Sequence, residues 1–118
     1  MMSSGEVCTL MVRLMYANVL EILEKLEGTR QWLDEYQPQS EEEEQLIFIY
    51  KYQLEISEKK LRKFAKYCAE KIALNATNAC KVCKSIFKRY QRLQENIDVA
   101  YFLTLLKEDN DEARQASE

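Results

Sequence analysis

Glycine and proline set the first limit on this chain. Its 118 residues include two glycines and one proline, and none of the three lies beyond Pro38. Sheet-rich folds need a turn every ten residues or so, and those turns draw on glycine and proline for backbone angles that other residues avoid. A chain with so little punctuation is expected to form long helices. Its 47% hydrophobic content suffices for a packed core, and its length suits one domain. The expected organisation is a single all-α domain over residues 1–108, followed by an acidic flexible tail over 109–118.

Local chemistry marks the helix boundaries. In YQPQSEEEEQL, Pro38 stops what precedes it, and Ser40 is placed as an N-cap with Glu43 three residues on, the spacing of a capping box. Glu41, Glu42, Glu43 and Glu44 fall in the first turn, where carboxylates meet the positive end of the helix dipole. Ser3 and Glu6 repeat the spacing, so a first helix starts near Gly5. Its apolar positions Val7, Met11, Met15, Val19, Ile22 and Leu26 keep helical spacing, and Trp32, Leu33 and Tyr36 extend it to about residue 36, with Gly28 as a break point.

Two further stripes follow. One is Ile47, Tyr50, Leu54, Leu61, Phe64, Cys68 and Ile72; the other is Ala79, Val82, Cys83, Ile86, Tyr90, Leu93, Ile97 and Tyr101. Between them LNATN concentrates residues that favour caps and turns over helix interiors. The chain is expected to reverse there, with Thr77 or Asn78 capping the third helix. The expected fold is an antiparallel bundle of three long helices, about 5–36, 41–74 and 78–107, with a further break near residue 96. The competing arrangement is one uninterrupted helix from Ser40 to about Lys107, a rod about 100 Å long that would need a partner to cover it.

Net charge is only −3, but the charges are segregated. Residues 1–58 carry a net −8, residues 59–94 a net +10 and residues 95–118 a net −5. In a hairpin about residues 75–78, residue i lies beside roughly residue 152 − i. The basic halves of both helices then meet at the turn end: Lys59, Lys60, Arg62, Lys63, Lys66 and Lys71 from one, Lys81, Lys84, Lys88, Arg89 and Arg92 from the other. The acidic residues of the first helix, from Glu24 to Glu35, are expected at the opposite end, leaving the cations unneutralised. Like charges at helical spacing repel, so this surface is expected to meet an anionic partner. Lys59, Lys63, Lys66, Lys81, Lys84, Lys88, Arg89 and Arg92 are its candidate binding residues.

The other end is greasy. LIFIY at 46–50 and AYFLTLL at 100–106 are apolar around the whole helix, which requires cover on every side. Three helices cannot supply that cover, so either a fourth short helix folds back over these segments or, as is expected, Trp32, Leu46, Ile47, Phe48, Ile49, Phe102, Leu103, Leu105 and Leu106 form an apolar interface with another protein or a second copy opposite.

Candidate chemistry is sparse. The chain has no histidine, which removes the commonest general base and most metal ligation. Two isolated glycines cannot form a phosphate-cradling loop. Cys8, Cys68, Cys80 and Cys83 offer four thiolates for zinc in principle, but loop-borne cysteine pairs are missing, and buried cysteine acting as a small apolar side chain is the expected reading. A redox CxxC would normally follow a strand. No enzymatic activity, metal or other cofactor is expected.

No run reaches the roughly 18 apolar residues of a membrane span, and the N-terminus lacks the basic lead of a secretory signal. The cysteines therefore read as reduced thiols in an intracellular protein, cytoplasmic or nuclear. NAT at 75–77 is formally a glycosylation sequon, relevant only to a secreted helical bundle of the cytokine type. The reading that follows is a non-enzymatic adaptor or assembly subunit. The alternative is a nucleic-acid- or anionic-lipid-binding protein using residues 59–92, where Tyr67, Phe87 and Tyr90 lie among the cations as single-strand binders require.

Overall fold

The computed structural model describes residues 1–117 and contains four α-helices, with no strand among them. Helix α1 is Ser4–Glu35, α2 is Glu41–Ala73, α3 is Cys80–Arg92 and α4 is Gln94–Ser117; a 3-10 turn, Ala76–Asn78, links α2 to α3. Both expected caps form. Ser3 accepts from the Glu6 N–H at 3.2 Å, and Ser40 accepts from the Glu43 N–H at 3.1 Å. The returning carboxylate of Glu43 accepts from the backbone of Gln39 at 3.3 Å instead of from Ser40. Gly28 does not interrupt α1, because a helix interior tolerates one glycine at a cost of about 1 kcal/mol.

The chain reverses at Asn75, the single non-glycine residue with positive φ among the described residues, at 55°. Asparagine visits this left-handed region more readily than other residues. The uninterrupted rod is thereby excluded. Contacts fix the directions of the helices. Arg30 of α1 pairs with Glu58 of α2, and Asp34 lies 3.6 Å from Lys51, so α1 and α2 are antiparallel. Tyr50 meets Phe102 edge-on at 6.0 Å and Phe64 meets Tyr90 at 5.6 Å, so the α3–α4 arm runs antiparallel to α2 in the expected register.

Several boundaries differ from expectation. The third arm is divided at Leu93, three residues before the expected break near residue 96, and its core stripe passes the break without losing phase. Neither Thr77 nor Asn78 caps α3: the capping residue is Ala79, which makes no side-chain cap bond. The two polar residues bind α1 instead. Thr9 donates to Asn78 Oδ1 at 2.8 Å, and Thr77 donates to Thr9 at 3.3 Å. Helix α4 continues past residue 107 through the stretch expected as an acidic tail, where Lys107 and Asp111 pair one turn apart at 2.6 Å.

The core joins Val12, Met15, Val19, Ile22, Leu23, Leu26 and Leu33 to Leu54, Leu61, Phe64 and Cys68, and to Cys83, Ile86, Ile97, Ala100 and Leu103. Buried Thr29 satisfies its hydroxyl on the Lys25 carbonyl at 3.1 Å. Buried Glu58 is held between Arg30 and Arg62. Four positions expected in the core stripes are exposed: Val7, Met11, Ala79 and Tyr101. The molecule is elongated, 56 × 27 × 19 Å, so its two ends are well separated surfaces.

Candidate binding surfaces

The cations lie where the hairpin register puts them. Lys59, Lys60, Lys63 and Lys66 are exposed on α2, and Lys81, Lys84, Lys88, Arg89 and Arg92 are exposed on α3. Among the described residues, no acidic side chain comes within ion-pair distance of any of these nine. Arg62 is different: Glu58 holds its Nε at 2.9 Å, and Glu27 of α1 approaches to 3.9 Å. One α1 glutamate therefore reaches the basic region, and it reaches only its margin.

Between α2 and α3 the surface forms a groove of about 200 Å³ lined by Lys60, Lys63, Arg89 and Arg92, with Phe64 and Leu93 as its apolar floor. The side chains come from one turn of each helix, at spacings of three, so helical geometry alone places them. Lys60 is among the cations the sequence gathers at this end but not among the candidate binding residues, yet it lines this groove. Arg89 is oriented by Tyr67: its guanidinium carbon sits 3.9 Å from the ring centroid, while Lys71 lies 5.2 Å from the same ring. A stacked guanidinium keeps its planar N–H fork available for a carboxylate or phosphate.

These contacts also use up the aromatic side chains. Tyr67 is covered by two cations, Phe64 is buried, and the Tyr90 hydroxyl accepts from Asn18 at 2.8 Å. Phe87 remains, partly exposed. The stacking platform that favoured single-stranded nucleic acid is largely absent.

At the other end, Phe48 is 72% exposed, and Leu46, Ile49, Phe102 and Leu105 are exposed as well. Trp32, Ile47 and Leu106 are half-buried against the core. Leu103 must be removed from this surface: it is 1% exposed and belongs to the core, because the α4 stripe through Ile97 and Ala100 turns it inward. Tyr52, not anticipated, is exposed one turn beyond Phe48.

The separation of cations from apolar groups is incomplete. Val7, Leu10, Met11 and Leu14 are exposed on the first turns of α1, at the same end as the lysines. Apolar residues occupy more than one face of those turns, and the inner face, led by Val12 and Met15, is the one that packs. A depression between α1 and α2 is a poorer candidate for a partner. Most of its charged lining is already paired, Arg30 and Arg62 with Glu58 and Lys51 with Asp34, which leaves Glu55 and Lys59.

The cysteines divide. Cys68 and Cys83 are buried as expected, and burial pushes the Cys68 thiol up to about 11. Cys80 is exposed at the first position of α3, and Cys8 is half-buried, so these two are not ordinary core residues. Among the described residues, no three cysteine or carboxylate groups are arranged to hold a metal ion, and no helix is long and apolar enough to cross a membrane. No protein-family model, no curated protein and no solved structure matches this chain.

Proposed function

We propose that this protein is a non-enzymatic, intracellular helical interaction module that holds an acidic segment of a partner protein in the α2–α3 groove. Its apolar end, through Leu46, Phe48, Ile49, Phe102 and Leu105, makes a second contact with that partner or with another copy of the chain. The observation that carries this reading is the convergence of Lys60, Lys63, Arg89 and Arg92 over Phe64 and Leu93 with no ion-pair partner among the described residues. An amphipathic acidic segment complements both features. An apolar side chain would cover the floor, and flanking carboxylates would meet the cations. Burial of the apolar anchor supplies affinity, while charge raises the on-rate and selects the partner.

Fluorescence anisotropy with a labelled peptide carrying one leucine or phenylalanine among glutamates tests this. Saturable binding that weakens as salt screens the carboxylate–cation pairs is expected, together with much weaker binding of the same peptide with glutamine for glutamate. Equal binding of the two peptides would refute the proposal.

A second reading, attachment to an anionic lipid surface, is favoured by Val7, Leu10, Met11 and Leu14 at the cationic end. Apolar insertion beside lysines is the usual basis of peripheral membrane contact. Co-sedimentation with phosphatidylserine vesicles, lost in Leu14→Glu, would support it. Equal sedimentation of that variant would remove it. Nucleic acid would instead show a steep log-linear salt dependence from phosphate contacts.

A further inference from the structure

Three thiols meet where α1 crosses the start of α3. Cys8 Sγ lies 3.9 Å from Cys80 Sγ, and the Cys83 thiol donates to the Cys8 carbonyl at 3.7 Å. Cys80 and Cys83 share a helix face because they stand three residues apart. Sequence separations of 72 and 75 residues mean that the fold, not local chain geometry, brings Cys8 to them.

The surroundings fix this approach. Thr9, next to Cys8, is bonded to Asn78 at 2.8 Å and to Thr77 at 3.3 Å. Gly5, one turn earlier, lies so close to the turn that a Cβ there would sit 3.2 Å from the Asn78 carbonyl oxygen. The first turns of α1 are thus clamped onto the 3-10 turn on both sides of Cys8. The 3.9 Å between the two sulfurs has to shorten by about 1.9 Å to reach the length of a disulfide bond.

We propose that Cys8 and Cys80 form a reversible disulfide site, closed by a peroxide oxidant and opened by a dithiol reductant. The solvent-exposed Cys80 sulfur attacks one peroxide oxygen, the O–O bond breaks, and water leaves as the sulfur becomes a sulfenic acid. The Cys8 sulfur then attacks that sulfur, the S–O bond breaks, and a second water leaves with the Cys8 proton. Two thiols are oxidised by two electrons while one hydrogen peroxide is reduced to two waters. A dithiol returns both electrons and both protons by exchange. Cys83 holds the Cys8 backbone in place, and Cys68, sealed in the core, takes no part. The bond would tie α1 to the start of α3 at the cationic end, independently of what the groove binds.

The full-length chain, treated with stoichiometric hydrogen peroxide, alkylated, digested and mapped by mass spectrometry, tests the assignment. A Cys8–Cys80 cross-linked peptide within one chain is expected, reversed by dithiothreitol, with thermal unfolding raised by roughly 10 °C in the oxidised form. The bond should persist in Cys83→Ser, which cannot exchange into it, and vanish in Cys80→Ser. Any other pairing in the wild type, a bond joining two chains, thiols that remain alkylatable, or a lowered unfolding temperature would each overturn the proposal.

Discussion

The two glycines should respond in opposite ways to the same substitution. Gly28 lies inside α1, where an added Cβ would meet only the Lys107 side chain, at 3.8 Å, an ordinary contact. Gly28→Ala should therefore keep nearly the whole helix-propensity gain of about 1 kcal/mol. For a chain of this size that raises the unfolding temperature by about 4 °C. Gly5 is also helical, but its Cβ would stand 3.2 Å from the Asn78 carbonyl oxygen. That oxygen belongs to backbone held by the Ala76–Asn78 turn and by the Thr9–Asn78 hydrogen bond, so it cannot withdraw cheaply. Gly5 stands at the helix start, where the propensity gain is small, so Gly5→Ala should lower stability by about 1 kcal/mol. Thermal melts followed by far-UV circular dichroism, with all three chains at one concentration, measure both shifts. A gain for Gly5→Ala equal to that for Gly28→Ala would refute the packing of α1 on the turn. A loss for Gly28→Ala would refute an uninterrupted α1.

Three further outcomes follow from the same structure. Asn75→Ala should cost about 1–2 kcal/mol, because alanine is strained at the left-handed φ of 55°, whereas Asn75→Gly should be neutral or stabilising; equal losses in chemical denaturation would contradict the reversal. Iodoacetamide at mildly alkaline pH should modify exposed Cys80 first and buried Cys68, with its thiol raised to about 11, last; peptide mapping that finds Cys68 first would contradict their placement. Phe48→Asp should leave the unfolding temperature within about 1 °C while reducing self-association measured by sedimentation; a large loss of stability would show that Phe48 is core.

Much of the fold was legible because strong local signals coincided. The Ser3 and Ser40 caps, the absence of later glycine or proline, and the cluster at Asn75 each place an end or a turn through chemistry within four residues. The hairpin register followed from the turn alone, and the Tyr50–Phe102 and Phe64–Tyr90 pairs obey it. Other features depend on neighbours that periodicity does not reveal. The first turns of α1 carry two apolar faces, and only packing decides that Val12 and Met15 go inward while Val7 and Met11 stay out. Leu93 divides the third arm with no glycine or proline to announce it, three residues before Asn96. Thr77 and Asn78 have the side chains of caps, but Thr9 competes for them across the bundle. Cationic residues could be gathered to one end from sequence; the groove itself, with Lys60 beside Arg89 and Arg92 over Phe64 and Leu93, required the helices to be side by side.

The most direct test of the account exchanges charge across the groove. Lys63→Glu combined with Arg92→Glu changes two exposed side chains and should leave the unfolding temperature nearly unchanged. Affinity for the acidic amphipathic peptide should fall at least roughly tenfold, and a matched peptide with lysines for glutamates should bind the variant better than it binds the original chain. Unaltered affinity for the acidic peptide in a folded variant would contradict the account.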